Sequence, residues 1–278
     1  GYEAYVVGGC VRDSILGRTP DDWDITTSAK PEQVKRLFHR TVDTGLQHGT
    51  VTVLIEKEGY EVTTYRVDGE YEDGRHPKEV TFTASLEEDL KRRDFTINAM
   101  AYNPDKGIVD AFDGVADLKA RRIRCVGNAM ERFTEDALRI LRAIRFSAQL
   151  GFEIEKETFE AISVIAPNLA KVSKERIQME LTKLLCSEHP EKIREVYETG
   201  ISTYVSLAFA ALDWQNARVS AALPKEKYVR WAAFLRCGNS PENAVRVLRD
   251  LKLDNDTVSR GKTLVTWADV TPAADEAE

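Results

Sequence analysis

The chain predicts a mixed α/β head followed by an all-helical arm, and three observations carry that expectation. Segments rich in β-branched residues, "AYVVGG", "WDITTS" and "TVTVLIEKEGYEVTTYRV", alternate with short helical stretches through the first part of the chain. After about residue 126 the apolar residues recur at helical spacing, from "TEDALRILRAIRFSAQLG" to "SPENAVRVLRDLKL". With 278 residues, 42% of them hydrophobic, the chain can build a substantial core and more than one domain.

In order, "AYVVGG" reads as a short apolar strand, and "VRDSILG" as a helix turn closed by Gly17. "KPEQVKRLFHR" is a helix begun by Pro31 with Ser28 as its cap. The two β-rich runs around "EKEG" form a hairpin turning near Glu58 and Gly59. Residues 68–79, "DGEYEDGRHPKE", are a long polar loop, of the kind that is either functional or a solvated hairpin tip. In the arm, Thr134 caps the next helix and Gly151 stops it. "EKETFEAISVIA" ends at Pro167, and "SKERIQMELTKLLC" starts with a serine cap. The tail "TPAADEAE" has the composition of a disordered segment.

A net charge of -7 gives no global positive field, so any RNA partner has to be held by local basic patches. Cys10, Cys125, Cys186 and Cys237 are scattered with no CxxC, which suits reduced thiols in a cytoplasmic protein better than a disulfide frame or a zinc site. No apolar run approaches the ~18 residues of a membrane helix, and "ISTYVSLAFAAL" is short and interrupted, so no membrane partner is expected. The chain opens without methionine on a strand-like segment, which points to a longer natural N-terminus and no signal peptide.

The chemistry concentrates in "VVGGCVRDSILGRTPDDWDITTS". Asp22 and Asp24 flank Trp23 in a segment that reads as a strand, whose period of two puts both carboxylates on one face. Two carboxylates held together call for a cation, and an oxygen-only set with room for substrate phosphates suits Mg²⁺; a solvated acidic turn is the plainer alternative. Glu61, on the neighbouring strand pair, is a candidate third carboxylate. Gly8 and Gly9 end a strand and precede a helix, where backbone N–H groups can bind phosphate, and Arg12 can add a charge-assisted contact. "EEDLKRRDFTINAMAYN" groups Lys91, Arg92, Arg93, Asp94 and Asn98, residue types suited to ribose and phosphate, ahead of a core segment. In "RFTEDALRILRAIRF", successive helical residues turn by ~100°, so Asp136 and Arg139 fall ~60° apart. Such a pair is either a surface salt bridge or a protein template. Aspartate accepts and arginine only donates, which matches the amine and ring acceptor of cytosine or adenine and not uracil or guanine.

Together these motifs resemble a class II CCA-adding enzyme, a tRNA nucleotidyltransferase of the polymerase-β-like superfamily. "GGCVRD" with "DWDITT", "RRDFTINAMAYN", "DAFDGVADLKARRIRCVG", "ERFTEDALRILRAIRFSAQLGF" and "SKERIQMEL" occur in the family's order over roughly residues 5 to 185. The resemblance implies a nucleotidyltransferase head (a mixed β-sheet with helices) at 1–125, a helical neck with a base-reading helix at 126–187, and a helical, tRNA-binding body at 188–278. It implies that Asp22 and Asp24 carry the catalytic metals, and that Glu135, Asp136 and Arg139 form the Glu-Asp-x-x-Arg motif whose last two residues pair with the incoming base. It also implies that Arg93 and Asp94 contact the nucleotide sugar and phosphates. Arg142 and Arg145, further along, are assigned to nucleotide binding as well. Residues 68–79 fall at the family's flexible loop, needed for the switch from C to A.

The implied reaction adds C, C and A to a tRNA lacking part or all of its 3′ CCA, using CTP and ATP with Mg²⁺, and releases pyrophosphate. "KARRIR" and the helical arm would supply the RNA contacts. Beyond residue 190 the match is loose, and the longer body and tail usual in the family are not seen, implying a shortened chain or a weaker grip on tRNA. A bacterial poly(A) polymerase, which shares the head motifs, and a catalytically silent RNA-binding module stay open as alternatives.

Overall fold

The structure, a computed structural model, describes residues 1–69, 80–237 and 240–268. Most of the expected 68–79 loop and the acidic tail therefore lie outside the described residues. The chain divides into two compact units, Gly1–Arg139 with Glu153–Ala161, and Ile140–Phe152 with Ile162–Glu278. The first unit runs on to Arg139 and takes in Glu153–Ala161 as well.

The first unit opens with β1 (Ala4–Val7), α1 (Gly9–Ile15), β2 (Ile25–Thr27) and α2 (Pro31–Leu37). There follow β3 (Thr41–Gly45), β4 (Thr50–Ile55), β5 (Glu58–Thr64), β6 (Arg66–Asp68) and β7 (Val80–Phe82). Then come α3 (Leu86–Lys91), a 3₁₀ turn (Thr96–Asn98), β8 (Ala101–Asn103), β9 (Gly107–Val109), α4 (Gly114–Lys119) and β10 (Arg122–Ile123). Seven strands form one mixed sheet in the order β3-β4-β5-β2-β1-β8-β9. β2 runs antiparallel to β1 and parallel to β5, with Ile25 opposite Val62.

One core cluster gathers Tyr5, Val7, Tyr65, Leu90, Ala99, Ala101 and Val126. Another seats Ala29 and Val34 on Val51, Val53 and Val62. The apolar run expected after "RRD" is core, with Phe95, Ile97, Ala99 and Met100 all fully buried. α4 closes directly onto it: a Cβ on Gly114 would stand 2.4 Å from the Thr96 carbonyl oxygen.

Several local expectations change. The β4–β5 hairpin turns at Glu56 and Lys57, both at positive φ, rather than at Glu58-Gly59, because the ladder pairs Ile55 with Glu58. Ser28 does not cap α2; its Oγ accepts from the Glu3 amide at 2.8 Å, while Gln33 Oε1 accepts from the Lys30 amide at the helix start. Thr134 is not a cap either. It lies inside α5 (Ala129–Glu135), which Asn128 caps by accepting from the Glu131 amide, and the Thr134 hydroxyl turns back to the Met130 carbonyl.

α6 (Arg139–Leu150) begins a new helix after a break at 136–138. β11 (Glu153–Ile154) pairs with β10, and α7 (Lys156–Ile165) follows. The second unit continues with α8 (Lys174–Leu185), α9 (Ile193–Glu198), α10 (Ser202–Val205), α11 (Leu207–Ala210), α12 (Lys227–Leu235), α13 (Pro241–Asp250) and α14 (Asn255–Thr266). Ser173 occupies the N-cap position of α8 without a side-chain cap bond. Tyr197 stacks between Phe209 and Trp214, at ring separations of 5.2 and 5.7 Å, and anchors this core. Among the described residues no helix is long and apolar enough to cross a membrane, and Cys10, Cys125, Cys186 and Cys237 form no disulfide.

Candidate active site

The glycine turn sits where β1 hands over to α1. Gly8 has φ +83°, and a Cβ there would meet Arg93 Nη1 at 3.0 Å. Its own amide donates to the Met100 carbonyl at 3.0 Å, so the sheet, not a ligand, holds it. Gly9 opens α1, and its amide belongs to the first helical turn.

The two aspartates lie just ahead of β2 rather than in it, because the ladder starts only at Ile25. An amide-to-carbonyl bond of 3.0 Å from Val7 to Asp24 still fastens this lead-in alongside β1. Trp23, between them, is half exposed at 41%. Burial pushes the Asp24 carboxyl up from its ordinary value. The Asp22 charge pushes the same way, opposed by the Arg93 guanidinium, and Glu61 adds to the rise. Glu61, on β5, directly precedes the Val62 that pairs with Ile25, so it follows the same register as Asp24. Among the described residues no group of three or more His, Cys, Asp or Glu side chains is gathered tightly enough to hold a metal alone. The donor set is therefore a carboxylate pair whose mutual repulsion a divalent cation would relieve, which fits a hard cation completing its shell with substrate oxygens.

Around this pair the arginines are held by buried carboxylates. Asp89, fully buried in α3, accepts from Thr26 Oγ1 (2.9 Å), the Arg66 amide (3.2 Å) and Arg92 Nε (3.1 Å), and stands 3.9 Å from Arg93 Nη2. The sequence reading passed over Asp89; the available signal was its spacing of three and four residues from Arg92 and Arg93 on a helix. Arg93 Nε is buried with no hydrogen-bond partner. Burial and the Arg92 charge lower the affinity of that guanidinium for its proton, against the pull of Asp89, Asp24 and Asp94. Arg12 is directed inward: Nε and Nη2 donate to the two Asp13 oxygens, each at 2.9 Å, and Nη1 to Asn98 Oδ1 at 2.7 Å. A guanidinium only donates, so it fixes the flip of Asn98, whose Nδ2 faces Asp94 Oδ1 at 3.2 Å. Asp94 Oδ1 also accepts from the Phe95 amide at 2.8 Å.

The expected Asp136–Arg139 helix face is not continuous. Asp136 is extended, in the break between α5 and α6, and its Oδ1 accepts from the Leu138 amide at 3.0 Å. An aspartate that bonds the backbone two residues on favours such a break over a continuous helix. Arg139 is 9% exposed and tightly held: Nη1 donates to Glu135 Oε2 (2.6 Å) and the Arg132 carbonyl (3.0 Å), Nη2 to the Arg92 carbonyl (3.2 Å). Arg132 in turn donates to the Lys91 carbonyl at 3.2 Å. Two guanidinium groups thus satisfy carbonyls at the end of α3, where a cation is favoured. Arg142 and Arg145 belong to the second unit, where Arg145 Nε donates to Glu180 Oε2 at 2.8 Å and Arg142 Nη1 lies 4.0 Å from Oε1. In "KARRIR", Arg124 Nε is spent on the buried Asp117 at 2.8 Å, while the Arg122 side chain stays about half exposed at 49%.

Residues 4–124 match the family described as "Poly A polymerase head domain", and residues 151–212 match "Probable RNA and SrmB- binding site of polymerase A". A CCA-adding enzyme of Leuconostoc mesenteroides is 58% identical over 196 residues, covering 70% of this chain and 49% of that protein. A CCA-adding enzyme of Latilactobacillus sakei is 48% identical over 266 residues, covering 94% and 67%. Among solved structures, the Bacillus stearothermophilus CCA-adding enzyme in complex with CTP superposes with a TM-score of 0.85 at 41% identity, covering 97% of this chain and 67% of that one. The chain thus spans between half and two thirds of the length of these relatives.

Proposed function

Since the chain belongs to the class II CCA-adding enzymes, we propose that it adds C, C and A in turn to the 3′ end of tRNA, taking CTP and ATP. The observation that carries the reading is the arrangement at Gly8. An incompletely partnered arginine, Arg93, stands between a glycine turn and the carboxylate pair, the complement of a nucleotide triphosphate. In the reaction the terminal 3′ hydroxyl oxygen forms a bond to the α-phosphorus, the bond to the β-phosphate breaks, and pyrophosphate leaves. Asp22 and Asp24, with Glu61 nearby, would hold Mg²⁺, which when bound lowers the cost of ionising the hydroxyl and offsets the leaving charge.

Gly9 and Arg93 face the phosphates in this reading. Gly8 shapes the turn, and Arg12 acts through Asn98 and Asp94 on the sugar rather than on phosphate. Asp136 and Arg139 read the base. Anchoring of Arg139 by Glu135 and two carbonyls keeps its donor direction fixed, which is what discrimination by hydrogen bonding needs. Arg142 and Arg145 extend the basic character of α6, and the enzyme works in the cytoplasm on tRNA.

Labelled CTP or ATP incubated with a tRNA lacking its 3′ CCA tests this directly. Ordered incorporation of C, C and A is the expected result. A ladder of A on generic RNA would assign the chain to the poly(A) polymerases instead, and RNA retention without incorporation would reduce it to a binding module.

A further inference from the structure

A fully buried carboxylate in a short, exposed acidic helix turn needs a reason, and Asp89 has four neighbours that supply one. Its oxygens accept from Thr26 Oγ1, the Arg66 amide and Arg92 Nε, and lie 3.9 Å from Arg93 Nη2. We infer that Asp89 is a positioning residue for nucleotide binding, which aims the Arg93 guanidinium into the space beside Gly8 and Asp24; the inference rests on the nucleotide-transfer reading above.

Arg92 and Arg93 are adjacent cations in a largely dry environment and repel each other. A buried anion between them holds both in place. Without it, Asp24 and Asp94 are the carboxylates left drawing on Arg93, beside a Gly8 turn that already stands against its Nη1, so Arg93 would turn toward the metal-binding pair and quench it. Thr26 lies two residues beyond Asp24, so its hydroxyl registers Asp89 to the strand that Asp24 leads into. Through Arg92 the same carboxylate bears on base reading, because the Arg92 carbonyl accepts from Arg139 Nη2 at 3.2 Å. Asp89 therefore acts on the site through both arginines while touching no substrate.

The test is calorimetric CTP binding to the intact chain without tRNA, for the wild type, Asp89→Asn, Arg93→Ala and the double variant, with KM and kcat measured alongside. Asn keeps the shape and removes the charge. Asp89→Asn should weaken CTP binding about tenfold, raising KM more than it lowers kcat, and should cost clearly less once Arg93 is Ala, the remainder passing through Arg92. Wild-type affinity in Asp89→Asn, or an equal loss in both Arg93 backgrounds, overturns the inference. Should Asp89→Asn fail to fold, the isosteric Thr26→Val goes through the same cycle, where coupling to Arg93 supports the inference and additivity overturns it. A wild-type chain that binds neither CTP nor ATP would overturn the nucleotide reading itself.

Discussion

Asp24 shows how a side chain proposed for the site can be costly to the fold. Burial first, then the Asp22 charge, raises its pKa above the ordinary carboxylate value, with Glu61 adding to the rise and Arg93 opposing it. A raised folded-state pKa means the folded chain holds the proton more tightly than the unfolded one. Stability is therefore lost as pH rises from the unfolded pKa through the folded one, so the cost is greater at neutral pH than in acid. Asp24→Asn removes a charge the fold disfavours. It should raise the melting temperature at neutral pH, and the gain should shrink as the pH falls towards the ordinary aspartate value of about 3.9. It should also abolish nucleotide addition. Thermal denaturation at the two pH values, beside the incorporation assay, checks both halves. A lower neutral-pH melting temperature would mean that Asp24 serves the fold through a partner rather than the site.

At the scale of elements, the first unit depends on an approach closer than any side chain allows. α4 meets the 3₁₀ turn at Gly114, where an added Cβ would lie 2.4 Å from the Thr96 carbonyl and 2.8 Å from Met100. Ala is the better helix former by about 1 kcal/mol, but backbone at that distance cannot step aside, and overpacking of this kind costs ~1–3 kcal/mol. Gly114→Ala should therefore lower stability despite its propensity, and chemical denaturation would read the change; a stabilised variant would show that α4 can slide. The β4–β5 hairpin and the apolar "FTINAMA" run were legible in the sequence because both follow period and composition. The break between α5 and α6 was not. Asp136 sits within an otherwise helical pattern, and only the bond from its side chain to the Leu138 amide reveals that the helix stops and restarts there. The same holds for Arg12 and Asp89: Arg12 reaches Asn98, and Asp89 reaches Thr26 and the Arg66 amide, through contacts distant in sequence.

Across the whole molecule, the residues proposed for phosphate, metal and base all lie in the first unit apart from Arg142 and Arg145. The second unit has its own framework, and Arg230 is central to it. Its guanidinium is fully buried, yet every described partner is a carbonyl: Leu185 at the end of α8 and Ser187 just beyond it, and Ala221, Leu223 and Pro224 in the segment before α12. The five donors of its guanidinium stitch an irregular segment to a helix end where carbonyls have no intrahelical partners. Arg230→Met keeps much of the volume but leaves those carbonyls without donors, each costing ~1–3 kcal/mol if it stays dry. The variant should lose several kcal/mol of stability in the second unit, about 3 or more, while CTP affinity at the first unit stays within about twofold of wild type. Denaturation followed by tryptophan fluorescence reports on the second unit, where Trp231 lies fully buried and donates to Thr182 Oγ1 at 2.9 Å. Calorimetry with CTP reports on the first. Loss of CTP binding at temperatures where the variant remains folded would show that nucleotide affinity draws on the second unit.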